Sequence, residues 1–277
     1  MDIVALNTGT VRIKPSQVRA IGEGQARMMN VFGDPGWTDE LPMLAWAVMH
    51  PEGVIVVDAG ETPRAMTPGW FPAEHPYYAN AIKVHVREED GVGAQLARLG
   101  VTPRDVRAVL LTHLHTDHVG GLHELPGAPV WAHATEWEQA QGDAGLQRGY
   151  LPHLFPAGFA PSAYSFDGPA VGPFARSHAV TKAGDVLVVE TPGHTGGHCS
   201  VLVRDGATWV FLAGDATYAE ETLLERAVDA ISPDEQVTLA TIDRIRAFAA
   251  AEPVVYLPAH DVRSVERLRE RRVTKPA

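Results

Sequence analysis

The sequence predicts a layered α/β (α+β) fold, two sheets covered by helices, and three observations lead there. Short apolar runs occur both in hairpin pairs and in alternation with helical segments, the mixture that layered folds need. Each polar cluster of interest sits just after one of these runs, where a sheet edge can hold converging loops. The chain has 277 residues, 45% of them hydrophobic and 21% charged, enough to bury a large core. We read it as a single domain over 1–277.

The elements follow in chain order. Leu44 to His50 and Val54 to Asp58 are apolar runs separated by Pro51-Glu52-Gly53, the pattern of a hairpin. Residues 61–87 are rich in proline, aromatic and small residues and read as an inserted loop with short helical pieces. Glu88 to Leu99 has helical spacing through Val92, Leu96 and Leu99, and Gly100 can end it. Val106 to Thr112 and Pro129 to Ala132 are short strands, the second followed by the helical Glu136 to Gln141. Gly142 to His178 reads as irregular structure. Val186 to Glu190, Ser200 to Arg204 and Thr208 to Ala213 are strand-like. Ser232-Pro233-Asp234-Glu235 has the form of a capping box with proline at the first helical position. It opens a helix whose apolar face is Leu239, Ile242, Ile245 and Phe248. Val254 to Leu257 is a last strand, and Arg263 to Lys275 is expected to be a solvated helix.

Composition narrows the function. A net charge of −11 repels nucleic acid unless a basic patch overcomes it, and the basic tail alternates with glutamates. No apolar run reaches the roughly 18 residues of a membrane helix. Residues 1–7 lack the form of a signal peptide, and the one cysteine, Cys199, cannot form an internal disulfide, so a cytoplasmic location is expected.

The strongest chemical signal is His113-Leu114-His115-Thr116-Asp117-His118, four candidate metal ligands within six residues. Imidazole nitrogen and carboxylate oxygen suit zinc and similar divalent ions. Ligands so close cannot all reach one ion without strain, so a pair of ions is the natural reading. His194, Asp215 and His260 each follow a strand-like run in the same way.

His-x-His-x-Asp-His followed by single His, Asp and His residues at strand ends resembles the metallo-β-lactamase superfamily. The resemblance implies a four-layer αββα sandwich with two divalent ions per chain at one sheet edge. The ions are most readily zinc, with cobalt, manganese or iron as alternatives. It implies that His113, His115 and His194 bind the first ion, that Asp117, His118 and His260 bind the second, and that Asp215 bridges them. Within the superfamily the chain most resembles the N-acyl-homoserine lactonases, through Asp58-Ala59-Gly60, Arg87-Glu88-Glu89-Asp90, Leu151-Pro152-His153-Leu154, Asp215-Ala216-Thr217-Tyr218 and His260-Asp261. This implies a quorum-quenching lactonase that opens an acyl-homoserine lactone ring. Asp117 is then the expected general acid, and Tyr218 the expected hydroxyl donor to the oxyanion and a substrate contact. The acyl tail needs an apolar wall, for which Met28, Met29, Phe32, Trp70, Phe71, Phe155 and Phe159 are candidates. Asp58 has two readings: acceptor for a metal-binding histidine, or cap of a turn with Gly60. A homodimer is expected.

Some lactonases of this type carry an aromatic residue where this chain has Thr116. The flavodiiron branch has glutamate where this chain has His115, which argues against oxygen or nitric oxide reduction. Three alternatives share the fold: a thioesterase of the glyoxalase II kind, a promiscuous phosphotriesterase, and a mononuclear-iron persulfide dioxygenase, which should use fewer ligands.

Overall fold

The computed structural model describes residues 1–276. Its first sheet collects β1 (Asp2–Ile13), β2 (Leu41–His50), β3 (Gly53–Val57), β4 (Ile82–His85), β5 (Val106–Leu110), β6 (Val130–Ala132) and β7 (Ser162–Ala163) in the order β4-β1-β2-β3-β5-β6-β7. The second collects β8 (His178–Ala179), β9 (Val186–Glu190), β10 (Cys199–Asp205), β11 (Thr208–Gly214) and β12 (Val254–Pro258) in the order β12-β11-β10-β9-β8. Both sheets are mixed. β1 to β3 are antiparallel neighbours and β3, β5, β6 and β7 are parallel. β9, β10 and β11 are antiparallel, and β12 runs parallel to β11.

Side-chain alternation builds the layers. Leu44, Trp46 and Val48 of β2 point between the sheets, where Val186, Val188, Val201, Val203, Leu212 and Leu257 meet them. Their neighbours Ala45 and Ala47 point outward, with Val56 and Val109, onto Val92 and Leu96 of the helix Val92–Arg98. On the far side Leu187, Val189, Leu202 and Phe211 pack on Ile242, Ile245 and Phe248 of the helix Glu235–Ala251. Strands covered on both faces read as unbroken apolar runs, which is why β2, β3, β9 and β11 are visible in the sequence. The result is the four-layer αββα arrangement.

Several expectations are corrected. The sequence predicts no element over residues 1–13, yet β1, at 12 residues, lies there. Its alternation is broken by a register shift between Asn7 and Thr10 around Gly9, which sits at φ +122°. Residues 61–87 contain the expected short helical pieces, Pro63–Met66 and Pro76–Asn80, and also β4, an edge strand on β1. The long helix begins at Glu235, and its N-cap is Asp234, whose Oδ1 accepts from the backbone N–H groups of Gln236 and Val237. Ser232 instead donates its hydroxyl to Asp229. Leu239 is only half-buried, while Thr238 and Thr241 share the buried face. The tail helix Ser264–Glu270 is docked on one side. Arg267 is 1% exposed and ion-paired at 2.9 Å to Asp261 and 3.0 Å to Glu220. Among the described residues no helix is long and apolar enough to cross a membrane.

Candidate metal centre

β3 and β5 run in one direction, as do β9, β11 and β12, so their C-terminal ends emerge at common edges. Asp58 follows β3, His113 to His118 follow β5, His194 follows β9, Asp215 follows β11 and His260 follows β12. The same directionality that makes the strands parallel therefore gathers residues far apart in sequence. Gly214 makes the last approach possible. It sits at φ +55°, and a Cβ there would lie 2.6 Å from Thr112 Oγ1 and 2.9 Å from His198 Nε2.

Three histidine nitrogens converge first. His115 Nδ1 lies 3.0 Å from His113 Nε2 and 3.1 Å from His194 Nε2. A second group comprises Asp117, His118 and His260, with His260 Nε2 3.3 Å from Asp117 Oδ2. Asp215 stands between them: its Oδ2 is 3.6 Å from His194 Nε2 and 3.2 Å from His260 Nε2, and its Oδ1 is 3.4 Å from His118 Nε2. The geometry thus brings together all seven of the sequence-predicted ligand candidates.

The far side of most rings is anchored. His118 donates Nδ1–H to Asp58 Oδ2 at 2.8 Å, and His260 donates Nδ1–H to the Pro42 carbonyl at 2.8 Å. His194 Nδ1 faces Asp229 Oδ2 at 3.5 Å. His113 Nδ1 lies 3.2 Å from Thr112 Oγ1. Each contact turns Nε2 toward the centre, as outer partners of metal-binding histidines do. Asp58 thus accepts from one of the candidate ligand histidines, and it also accepts from Thr112 N and Oγ1 at 2.8 Å each.

The electrostatics fit a divalent pair. Burial, with help from neighbouring imidazoles, holds His113 well below the usual range and His115 at about 3, so both rings are neutral. Burial opposes protonation of His118 and His260, but the carboxylates around them outweigh it and raise His118 well above 6.5 and His260 to about 10. Burial also pushes Asp117 upward, but His118 and His260 prevail and hold it at about 2. The carboxylates that raise His118 and His260 form a buried negative cluster of the kind that positive metal charge compensates. His118 Nε2 and Asp215 Oδ1 are buried and face each other without a hydrogen bond, a gap that a shared ligand would close. The donor set fits two divalent ions.

Above the centre lies a cavity of about 50 Å³. Tyr218, Asp117, Gln17, Tyr77 and Ile231 are among the residues that line it. Tyr218 is 5% exposed, its ring stacks on His260 at 5.4 Å, and burial raises its hydroxyl well above 10. A groove of about 580 Å³ adjoins, sharing Tyr77, Gly149 and Ile231 with the cavity. Of the tail-wall candidates, Met28 and Phe32 line this groove. Phe71 stacks on Tyr78 at 5.0 Å and lines neither space. Trp70 and Met29 also lie outside both linings, and Met29 is 72% exposed. Phe155 and Phe159 pack with Trp137 on the outer core instead.

Several residues at the centre escaped the sequence reading. His198, outside the set of ligand candidates, accepts from Asp215 N at 3.0 Å. Glu136 accepts from Leu114 N and Gly197 N at 3.2 and 3.0 Å, tying together two ligand-bearing loops. Asp229, Gln17 and Glu61 are buried polar residues without a motif to mark them. Only Asp229 carried a signal, as a lone charge between Val228 and Ala230.

Comparison with known proteins agrees with this geometry. The chain matches the family model described as the metallo-beta-lactamase superfamily over residues 38–260. It is 28% identical over 231 residues to an N-acyl homoserine lactonase of a Bacillus species, covering 82% of this chain and 84% of that one. It is 27% identical over 232 residues to the N-acyl homoserine lactonase AttM of Azorhizobium caulinodans, covering 80% of this chain and 82% of that one. Among solved structures, it superposes with a TM-score of 0.73 and 21% identity on an N-acyl homoserine lactone hydrolase holding the product N-hexanoyl-L-homoserine at its catalytic metal centre. That match covers 95% of this chain and 94% of the other. The dizinc lactonase AidC superposes with a TM-score of 0.62 and 13% identity over 94% of this chain and 87% of AidC.

Proposed function

Because the chain belongs to the metallo-beta-lactamase superfamily, we propose that this metal-dependent hydrolase opens the lactone ring of N-acyl-homoserine lactones. The observation that carries the proposal is Asp215 standing between two ligand triads, beneath a small cavity that Tyr218 and Asp117 line and that shares Tyr77, Gly149 and Ile231 with an apolar groove. The groove suits an acyl tail, and the cavity, lined by Tyr218, Asp117 and Asp215, is where a scissile carbonyl would reach the ions. The lactonase relatives, aligned over most of both chains, support the substrate class.

His113, His115 and His194 would hold one ion, and Asp117, His118 and His260 the other, with Asp215 shared. When bound, two divalent ions make hydroxide available near neutral pH and polarise a carbonyl; zinc is the first choice. Tyr218 stays protonated at any working pH, so it can donate to the oxyanion that forms as the carbonyl carbon becomes tetrahedral. A carboxylate that holds a divalent ion is ionised, so Asp117 would start the cycle without a proton. It therefore cannot bring a proton of its own; it accepts one from the attacking water and returns it to the leaving ring oxygen. One proton leaves water and one arrives on the alkoxide, so the product is the ring-opened N-acyl-homoserine.

The test is hydrolysis of C4, C8 and C12 acyl-homoserine lactones by metal-loaded protein, with metal content measured on the same sample. Rapid ring opening with about two ions per chain supports the proposal. No turnover with two ions bound shifts the reading to thioesters or phosphotriesters, and one iron per chain shifts it to persulfide oxidation.

A further inference from the structure

Gln17 lies on the short helix Pro15–Val18, is 1% exposed, and accepts the backbone N–H of Ala230 on its own carbonyl at 2.9 Å. Its side-chain nitrogen donates to two phenol oxygens, those of Tyr77 and Tyr218, each at 2.9 Å. A carboxamide nitrogen has two hydrogens, so both are committed. Each phenol oxygen is thereby an acceptor toward Gln17, and its own hydrogen must point elsewhere. Tyr78 shows the contrast, since its hydroxyl donates to the Gly149 carbonyl at 2.6 Å. Among the described residues neither Tyr77 nor Tyr218 has such an acceptor, and both line the cavity above the metal centre.

Their positions differ in a useful way. Tyr218 stacks on His260 and lies 6.0 Å, ring to ring, from His194. Tyr77 lines both the cavity and the adjoining apolar groove. The two hydroxyls are within about 6 Å of each other, since both bond one nitrogen. Resting on the lactonase reading above, we infer that Tyr77 is a second hydroxyl donor, which recognises the amide carbonyl joining the lactone ring to its acyl tail. In such a substrate the amide lies where the ring ends and the chain begins, and Tyr77 stands where the cavity ends and the groove begins. Gln17 is the positioning residue that turns both phenols inward. Burial keeps the Tyr77 hydroxyl protonated, so it can act only as a donor toward a carbonyl.

The test compares an N-acyl-homoserine lactone with an α-alkyl-γ-butyrolactone of equal chain length, which lacks the amide, on metal-loaded wild type and Tyr77→Phe. The expected result is a loss of about tenfold in kcat/KM for the acylamino lactone, mainly in KM, with the alkyl lactone changed less than about twofold and metal content unchanged. Gln17→Met is expected to reduce the same preference. Equal loss on both substrates, or no loss, overturns the role of Tyr77 while leaving the lactonase reading intact. An unchanged preference in Gln17→Met overturns the role of Gln17. Failure of wild type to open either lactone overturns both the lactonase reading and this inference.

Discussion

Asp58 Oδ2 accepts the Nδ1–H of His118 at 2.8 Å, and both side chains are at most 2% exposed. Asp58 sits at φ +58°, a conformation that aspartate and asparagine tolerate better than most residues. Asp58→Asn should therefore keep the backbone and an acceptor for Thr112 N, and remove the anionic oxygen that orients His118 and also takes the Thr112 hydroxyl. Metal affinity should fall about 10- to 100-fold, as it does when outer partners of ligand histidines are lost. Competition with a chelator measures this, and wild-type affinity in the variant would return Asp58 to a turn-capping role.

Asp215 is in reach of His194, His118 and His260 at 3.6, 3.4 and 3.2 Å. Asp215→Ala removes the one carboxylate common to both triads. Metal content and lactone hydrolysis should be lost together. Elemental analysis that finds full metal retention would refute the shared-ligand role.

How much of this was legible follows from geometry. His113, His115, Asp117 and His118 are adjacent in sequence, so their clustering is visible before any fold is known. His194, Asp215 and His260 were visible because each follows an apolar run that reads as a strand. Gln17, Asp229 and Glu136 were not, because their contacts span 201, 35 and 61 positions to Tyr218, His194 and Gly197. β1 is hidden because the bulge at Gly9 interrupts its alternation, and the helix start is ambiguous because Ser232 and Asp234 both suit the N-cap. The tail-wall candidates share only size and apolarity, and composition cannot separate a groove lining such as Phe32 from a core contact such as Phe159.

Glu61 is fully buried, and burial raises its carboxyl from 4.5 to about 8. Its folded-state value lies above its unfolded one, so the stability it contributes is present below about 4.5 and is lost as pH rises toward about 8. Glu61→Gln keeps the size and an acceptor for Thr62 N, and cannot ionise. In metal-free protein the variant should melt above wild type at pH 8.5, with the gap shrinking toward pH 5. A gap that is constant with pH would show that Glu61 ionises normally. Loading the metals should narrow the gap, because nearby positive charge favours the carboxylate.

Tyr218→Phe isolates the hydroxyl. The ring that stacks on His260 is retained, and Gln17 keeps Tyr77 as one acceptor, so folding and both ions should survive. What is lost is a donor that strengthens its bond as negative charge develops on the carbonyl oxygen. Removal of one such donor lowers turnover on the order of 10²-fold while affecting ground-state binding much less. Burial holds the Tyr218 hydroxyl well above 10, so the wild-type rate should show no fall up to pH 9 from its ionisation. The measurement is kcat, KM and metal content for both proteins across that range. If turnover is unchanged with two ions bound, Tyr218 serves packing, and the oxyanion must be met by the ions alone. If kcat falls while KM and metal content hold, the hydroxyl acts in the transition state, as its place beside His260 and above Asp215 implies.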